Sequence, residues 1–189
     1  MDSTELIKVI RSKHPVSESF TSTLKGMLIP LSFPKNHFLL EPPAICDHIY
    51  FINRGFAMCY VICKKKRNVE FFWREGQFAL STYSFFEQKP TEQYIQLMRK
   101  SELLAVTHAS MHRLYLMFPE AQYLFQSITQ CENQQARKDL FEIKHLEAIE
   151  RFERLLSMFP GIDKIVPQEA IASYLGITPQ SLSRIKRSL

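Results

Sequence analysis

Seven polar side chains near the carboxyl end of the chain have the chemistry needed to bind nucleic acid. A glutamine amide can pair with both polar groups on the major-groove edge of adenine, and an arginine can donate to the two acceptors of guanine. Cationic and hydroxyl side chains can also hold the phosphates of a duplex. The seven residues are Thr178, Gln180, Ser181, Ser183, Arg184, Lys186 and Arg187. We assign base contacts to Gln180 and Arg184, and phosphate contacts to the two later cations and to the hydroxyls of Thr178 and Ser183.

A short helix is predicted just before these residues. Ile171, Ala172 and Leu175 are spaced three and four residues apart, which is typical of one buried helical face. Pro167 suits the first helical position. Gly176 ends the helix, because glycine adopts left-handed backbone angles without a steric penalty.

A second helix follows almost at once and carries the polar residues. Thr178 is a good N-cap, and Pro179 fits the next position. Leu182 and Ile185 face inward, and Ala172 supplies the small residue that two steeply crossing helices need where they touch. These features predict a helix-turn-helix whose second helix enters the major groove. The alternative is an ordinary helical hairpin with a solvated basic face.

Composition indicates a folded protein with a modest positive charge. The chain has 189 residues, of which 46% are hydrophobic, and this length allows one large or two small domains. A formal net charge of +5 suits a polyanionic partner such as double-stranded DNA. No run approaches the roughly 18 apolar residues of a membrane span, and the first residues lack a basic-then-apolar secretion signal. We therefore expect a cytoplasmic protein without a membrane partner.

The cysteines and histidines do not indicate a metal centre. Cys46, Cys59, Cys63 and Cys131 are scattered, and in a reducing compartment we expect buried thiols. Cys59 and Cys63 would lie on one strand face about 13 Å apart, too far to bind one metal. No close His-x-His pair, glycine-rich phosphate loop or nucleophile elbow occurs. We therefore expect no cofactor, no metal and no enzymatic activity.

Short strands are predicted between residues 28 and 108. Six segments rich in β-branched and aromatic residues are separated by turn signals such as Pro42-Pro43. Many short strands at regular spacing predict an all-β sandwich or a jelly-roll barrel. The basic run at residues 64–67 falls in a hairpin turn, where a charge cluster is usually a solvated loop. The six segments are residues 37–41, 48–53, 56–63, 68–73, 94–99 and 102–108.

Helices are predicted on both sides of the strands. Two short helices come first, with a break at Pro15 and with Ser17 capping the second. After the strands come a short helix at residues 110–118 and a long one at residues 119–141, which contains no glycine and begins at a proline. A further helix at residues 146–159 supplies the third wall of the C-terminal core.

The long helix at residues 119–141 needs a partner surface. Its apolar residues Leu124, Phe125 and Ile128 give way to polar residues after Cys131. One interpretation is a two-fold dimer in which this helix pairs with its copy, because DNA readers of this type present two recognition helices. A helix packed along its own β-domain would tolerate the same sequence.

The motifs and their order resemble the Crp/Fnr family of bacterial transcription regulators, especially its short branch from Bacteroidetes-type bacteria. The resemblance covers residues 28–189. It is strongest over residues 171–187, Ile-Ala-Ser-Tyr-Leu-Gly-Ile-Thr-Pro-Gln-Ser-Leu-Ser-Arg-Ile-Lys-Arg, which are similar to the family's DNA-reading helices. In the β-region it rests on the turn at Gly55, on Glu75-Gly-Gln-Phe78 and on Ser101-Glu-Leu-Leu104.

The resemblance implies an α+β fold with an N-terminal double-stranded β-helix, a jelly roll of the cyclic-nucleotide-binding type. It implies a sensor domain with N-terminal helices at residues 1–118, a dimerisation helix at 119–143 and a helix-turn-helix DNA-binding domain at 144–189. The implied function is transcription regulation by a homodimer that reads a palindromic operator, with RNA polymerase as a further partner. Ser181 joins Gln180 and Arg184 as a base-contacting residue.

The sequence departs from the members of the family that bind cyclic AMP. Those hold the cyclic phosphate with a Gly-Glu pair and a following Arg-Ser or Arg-Ala, and residues 76–93 contain neither. Burying a phosphate without a cation is costly, and the ammonium of Lys89 lacks the bidentate fork of arginine. We therefore expect an unknown effector or none. The candidate contacts for an effector are Gly76, Gln77, Phe78, Tyr83, Lys89 and Tyr94.

Aromatic side chains are frequent in the same region and allow two interpretations. They could enclose an apolar or planar ligand, or they could form an ordinary core. The residues concerned are Phe71, Phe72, Trp73, Phe78, Tyr83, Phe85, Phe86 and Tyr94.

A second departure lies after the recognition helix. The family usually carries a small β-hairpin wing there, whereas this sequence stops at Leu189. We expect DNA affinity to depend more on the dimer and on phosphate contacts. The alternative function is that of a cupin-like jelly-roll protein that binds a small molecule, with or without enzymatic activity, and whose C-terminal helices serve only packing.

Overall fold

Two helices precede the sheets, as the break at Pro15 predicts. The computed structural model describes residues 2–188 apart from the side chain of Glu132, so Met1 and Leu189, the outer ends of the expected domains, lie outside it. Helix α1 spans Thr4–Lys13 and α2 spans Glu18–Met27. Ser17 caps α2 as predicted, because its Oγ accepts a hydrogen bond from the backbone N–H of Phe20 at 3.1 Å.

In the part of the chain that the structure describes, eight strands form two antiparallel four-stranded sheets, which confirms the expected jelly roll. One sheet has the order β1-β8-β3-β6 and the other the order β2-β7-β4-β5. Each of the six predicted strand segments is found, with ends that differ from the prediction by at most two residues. The strands are β1 (Ile29–Phe33), β2 (Phe38–Leu40), β3 (His48–Arg54), β4 (Phe56–Cys63), β5 (Lys66–Arg74), β6 (Phe78–Ala79), β7 (Gln93–Leu97) and β8 (Ser101–Thr107).

Three elements of this region were not predicted. Strand β1 lies at the edge of its sheet and contains Pro30, which is tolerated there because an edge strand need not donate every ladder hydrogen bond. Strand β6 has two residues, and helix α3 (Thr82–Glu87) has six. Both are too short to produce a periodic pattern in the sequence.

The turn between β3 and β4 depends on a glycine. Gly55 has φ +133°, and a Cβ built on it would lie 2.5 Å from Cβ and 3.0 Å from Cα of Ser101 on the neighbouring strand. Its N–H donates to Oε1 of Glu75 at 3.2 Å, which joins this turn to the one that precedes β6. Gly55 therefore allows β3, β4 and β8 to approach closely.

Within residues 2–188, six helices follow the sheets; five come in the order expected, and the four-residue helix at residues 162–165 was not predicted. Helix α4 begins two residues before the predicted start because Thr107 accepts from the N–H of Ser110 and caps it. The long helix continues four residues past its predicted end. The helices are α4 (His108–Met117), α5 (Pro119–His145), α6 (Ala148–Met158), α7 (Ile162–Ile165), α8 (Gln168–Tyr174) and α9 (Pro179–Ser188). None of the helices within residues 2–188 is both long and apolar enough to cross a membrane.

Helix α5 has two different halves. Leu124 and Phe125, in its amino-terminal half, are buried against the jelly roll and the first two helices. Near its carboxyl end, Leu140, Phe141 and Ile143 are 53%, 57% and 46% exposed. The first half therefore packs along its own β-domain, and the second half presents an apolar surface to solvent.

A second hydrophobic core joins the helix-turn-helix unit to the outer face of β4 and β5. Phe152 and Leu155 of α6 are buried in it beside Ile171 and Leu182, as expected of a third wall. Phe56 of β4 belongs to the same core, and its ring centroid lies 5.7 Å from that of Phe159. The helix-turn-helix unit is therefore docked on the roll.

We expected all four cysteines to be buried, but two of them are exposed. Cys46 and Cys59 lie in the core of the roll, whereas Cys63 and Cys131 are exposed. Cys63 is the last residue of β4, where the hairpin extends away from the core, and Cys131 lies on α5 after its buried stretch ends.

Candidate nucleic-acid interface

The first helix of the pair begins one residue later than predicted. Pro167 is the N-cap of α8 and has extended backbone angles, so the prediction that it occupies the first helical position is wrong. Its carbonyl accepts hydrogen bonds from the N–H groups of Ala170 and Ile171 at 3.0 and 3.2 Å. Proline is tolerated at this N-cap because its carbonyl accepts the first helical hydrogen bonds, and no backbone N–H is needed at this position.

Gly176 closes the turn between the two helices. It has φ +68°, and its N–H donates to the carbonyl of Ser173 at 3.1 Å. The N–H of Ile177 donates to the carbonyl of Ala172 at 3.0 Å. These two hydrogen bonds form a Schellman motif, which needs a left-handed residue at the position of Gly176.

The second helix starts immediately after that turn. The N–H of Ser181 donates to Oγ1 of Thr178 at 3.1 Å, so Thr178 is its N-cap. Pro179 is the first residue of α9, as predicted. Leu182 is fully buried and Ile185 half-buried against the rest of the unit, and Ala172 of α8 is also fully buried.

The opposite side of α9 is polar and open to solvent. Gln180, Arg184 and Arg187 are exposed and are spaced four and three residues apart, so they form one stripe along the helix. Ser181, Ser183 and Lys186 are partly exposed beside this stripe, and Thr178 is exposed at its start. The structure thus brings the seven candidate residues together on one helix and its cap.

The sequence of α9 makes this surface strongly basic. Arg184, Lys186 and Arg187 lie between residues 179 and 188, and the helix has no acidic residue. Two of these cations also lie in the last turn, where the helix dipole favours positive charge. The helix therefore combines hydrogen-bonding groups at its start with cations at its end, as a DNA-reading helix requires.

Hydrogen bonds that the sequence did not predict connect α8 to the roll and to α5. Oγ of Ser173 accepts from the N–H of Val69 at 3.0 Å and donates to the carbonyl of Arg67 at 3.0 Å. The hydroxyl of Tyr174 donates to Oδ2 of Asp139 on α5 at 2.9 Å. Burial raises the pKa of Tyr174, and the Asp139 carboxylate raises it further. No pattern in the sequence marks Ser173 or Tyr174, because each is an ordinary helical residue.

The basic hairpin at residues 64–67 lies on the strand that holds α8. Lys64 and Lys65 form its turn with positive φ angles, as the hairpin prediction requires, and β5 begins at Lys66. The guanidinium of Arg67 lies 4.9 Å from the centroid of the Tyr60 ring. This loop is solvated, as expected, and its strand contacts the helix-turn-helix unit.

The six candidate effector residues do not share one site. Gly76, Gln77 and Phe78 line a cavity of about 390 Å³ at the end of β5. Tyr83 is 63% exposed, and Lys89 faces solvent, where it pairs with a carboxylate oxygen of Glu87 at 3.3 Å. The hydrogen bond to Glu87 raises the pKa of Lys89.

Tyr94 also lies elsewhere, on the face of the sheet that contacts the helix-turn-helix unit. Its ring stacks on that of Tyr60 with 4.9 Å between centroids. Among the other aromatic residues, Phe85 is buried in the core of the roll. The aromatic set is therefore divided among ordinary core, the cavity wall and the exposed surface.

Polar side chains within the roll form hydrogen bonds to one another near residues 76–93, the segment that corresponds to the phosphate-binding stretch of cyclic-AMP-binding family members. Oγ of Ser81 donates to Oε1 of Gln93 at 2.5 Å, and Nε2 of Gln93 donates to the Glu70 carboxylate at 2.6 Å. A carboxylate in this network opposes an anionic ligand. Among the described residues, no group of three or more His, Cys, Asp or Glu side chains could hold a metal ion.

No family model matches the sequence, and no curated protein matches it. Solved structures, in contrast, match it in fold over most of their length. The c-di-GMP-responsive global regulator CLP of Xanthomonas campestris gives a TM-score of 0.71 at 13% identity, over 91% of each chain. FixK2 of Bradyrhizobium japonicum gives 0.73 at 16% identity, over 86% of this chain and 84% of that chain.

A protein from Eubacterium rectale assigned to the Crp/Fnr family of transcriptional regulators gives a TM-score of 0.73 at 12% identity. The match covers 92% of this chain and 83% of that protein. At such identities the similarity is one of fold. The chain has the Crp/Fnr-like α+β fold that its motifs predict.

Proposed function

We propose that this protein is a sequence-specific DNA-binding transcription regulator of the Crp/Fnr type. The observation that carries the proposal is the exposed stripe of Gln180, Arg184 and Arg187 on the second helix of a glycine-closed helix-turn-helix. Ser181 joins Gln180 and Arg184 in reading base edges, and the remaining cations and hydroxyls hold phosphates. The fold shared with known regulators supports this assignment.

The proposal divides the chain into three parts. Residues 1–118 form a sensor domain, residues 119–143 a dimerisation helix, and residues 144–189 the DNA-binding domain. The exposed apolar residues near the end of α5 support a homodimer, because a two-fold pair of helices would cover them. Such a dimer presents two recognition helices to a palindromic operator.

The effector, where one acts, is not cyclic AMP. Residues 76–93 offer no arginine to a phosphate, and the carboxylate of Glu70 is hydrogen-bonded to Gln93 at the end of that segment. Lys89, the one lysine of that segment, faces solvent and pairs with Glu87. A buried cyclic phosphate would therefore lack a cation and face a like charge.

Selection of bound fragments from random DNA by the full chain tests the proposal. We expect a palindromic site with half-sites about one helical turn apart, and an affinity that falls steeply with salt as counterions are released. A jelly-roll protein that binds only small molecules would enrich no sequence. That result would contradict the proposal.

Substitutions on α9 then test the groove assignment on the selected site. Arg184→Ala should weaken binding by about 1–3 kcal/mol and relax the preference at one base position, while Lys186→Ala should weaken all sequences alike. Lys8→Ala, which removes an exposed charge from α1, is the control and should change neither quantity. Filter binding against the selected and scrambled sites measures both effects. Unchanged binding by both α9 variants would show that this helix does not enter the groove.

A further inference from the structure

A cavity lies where the jelly roll, helix α5 and the DNA-reading unit meet. The end of β5 and the turn after it supply Trp73 and Gln77, α5 supplies Gln135, and the helix-turn-helix unit supplies Phe159 and Tyr174. The volume of about 390 Å³ is within the range of small-molecule sites.

The charged side chains on the cavity wall are cationic. Lys13, at the end of α1, and Arg74, at the end of β5, both line it, and among the described residues no Asp or Glu does so. Neither cation forms an ion pair within residues 2–188 as far as they are described. Nζ of Lys13 lies 3.3 Å from Sγ of Cys131, which also lines the cavity, so this charge sits at the wall.

The carboxylate of Asp139, which lies behind the cavity wall, already accepts two hydrogen bonds from neighbouring side chains. Asp139 accepts from the hydroxyl of Tyr174 at 2.9 Å with one oxygen and from Nε2 of Gln135 at 2.7 Å with the other. It does not line the cavity. The cavity therefore has positive charge complementary to an anion.

Flat aromatic rings form much of the remaining wall. The rings of Phe71 and Trp73 stack with 5.9 Å between centroids and 17° between planes. On the other side, Phe72 lies 5.0 Å from Tyr174 and 6.0 Å from Phe159 by ring centroids. Such surfaces favour a planar conjugated ligand body over a flexible one.

We infer that this cavity binds a planar aromatic carboxylic acid. Its rings contact the wall of Phe71, Phe72 and Trp73, and its carboxylate is held by Lys13 and Arg74. Because the walls come from both the roll and the DNA-reading unit, a bound acid connects the two.

Titration calorimetry of the full chain with 2-naphthoate and with 2-naphthamide tests this inference. The two probes have the same ring system, and the carboxylate alone carries charge. We expect 2-naphthoate to bind and 2-naphthamide to bind about tenfold more weakly. Equal affinity for the two probes, or no naphthoate binding up to about 1 mM, would overturn the inference.

Substitutions then test the two cations. Lys13→Met and Arg74→Met should each weaken naphthoate binding about tenfold and leave naphthamide binding unchanged. Lys8→Met, which removes an exposed charge from α1, is the matched control and should bind naphthoate normally. If both cation variants bound naphthoate as tightly as the control, Lys13 and Arg74 would not hold the carboxylate, and the assignment would be overturned.

The two exposed cysteines locate the bound probe without any substitution. Cys131 lines the cavity and Cys63 does not. Saturating naphthoate should therefore slow the alkylation of Cys131 by iodoacetamide and leave that of Cys63 unchanged. Equal rates at Cys131 with and without naphthoate would contradict the location. These measurements need no DNA, so their failure is distinguishable from failure of the proposed function.

Discussion

Burial raises the pKa of several tyrosine side chains in the β-domain, and the shifts at two of them are large. The pKa values of Tyr50 on β3 and Tyr115 on α4 are raised to about 12, chiefly because a phenolate is poorly solvated where they lie. For Tyr50, nearby Cys46 and Asp47 raise it further. Both tyrosines must therefore stay protonated for the fold to keep its full stability.

This behaviour predicts a loss of stability at alkaline pH. The pKa of folded Tyr50 lies above its ordinary value of 10, so its contribution is fully present below pH 10 and is lost as pH rises through about 12. The difference between the pKa of Tyr50 in the folded protein and its ordinary value corresponds to about 2–3 kcal/mol of folding stability. Urea unfolding from neutral pH to about pH 12 should show that Tyr50→Phe loses less stability than the unmodified protein, by about this amount.

The matched control for this prediction is Tyr83→Phe. Tyr83 is 63% exposed, so its replacement should leave the alkaline loss of stability unchanged. If Tyr50→Phe loses stability with rising pH as steeply as the control does, burial of Tyr50 is not the cause of the alkaline loss of stability.

At the scale of elements, the close approach of three strands depends on one backbone position. Gly55 combines φ +133° with a neighbouring Ser101 whose side chain and Cα leave no room for a Cβ. In contrast, a Cβ added to Gly26 on α2 would meet nothing within 4 Å. These two glycines therefore differ in what they do for the fold.

The two positions predict opposite outcomes for the same substitution. Gly55→Ala should destabilise the protein by about 2–4 kcal/mol, because it adds both backbone strain and steric overlap. Gly26→Ala should stabilise it by about 0.5–1 kcal/mol, because alanine loses less conformational freedom in a helix. Urea unfolding of both variants measures the difference. Similar stabilities would contradict the close approach at Gly55.

At the scale of the whole molecule, helix α5 connects three surfaces. Its first half packs on the roll, Asp139 accepts a hydrogen bond from α8, and its last turns expose Leu140, Phe141 and Ile143. A dimer formed through the exposed residues would leave the other two contacts in place.

The proposed dimer predicts that Phe141 contributes to self-association. Phe141→Ser should raise the dimer dissociation constant by about tenfold or more, because large aromatic residues often dominate such interfaces. Ile62→Ser removes an apolar residue of similar exposure, 53% against 57%, from the hairpin of β4 and is the control. Sedimentation equilibrium measures both. An unmodified protein that is monomeric at every concentration, or an equal effect of the control, would contradict the dimer.

Elements with strong local signals were predictable, and elements without them were not. The recognition unit could be located because Thr178 and Pro179 mark a helix start and Gly176 marks a helix end. Strand β1 and helix α3 escaped prediction because one is a short edge strand and the other has too few residues for a period. The candidate DNA-contacting residues follow from the first kind of signal, and they lie together on α9.

The sequence by itself determined the order of the main strands and helices and the position of the helix-turn-helix, because caps, turns and hydrophobic periods act between residues a few positions apart. Those patterns left a β-sandwich and a jelly roll open, and the resemblance to the family favoured the jelly roll. Only the tertiary structure decided which aromatic and cationic residues share a cavity and how the helix-turn-helix unit is held. The link from Val69 to Ser173 spans 104 residues of sequence. Contacts of that kind depend on how whole elements pack, and no local pattern encodes them.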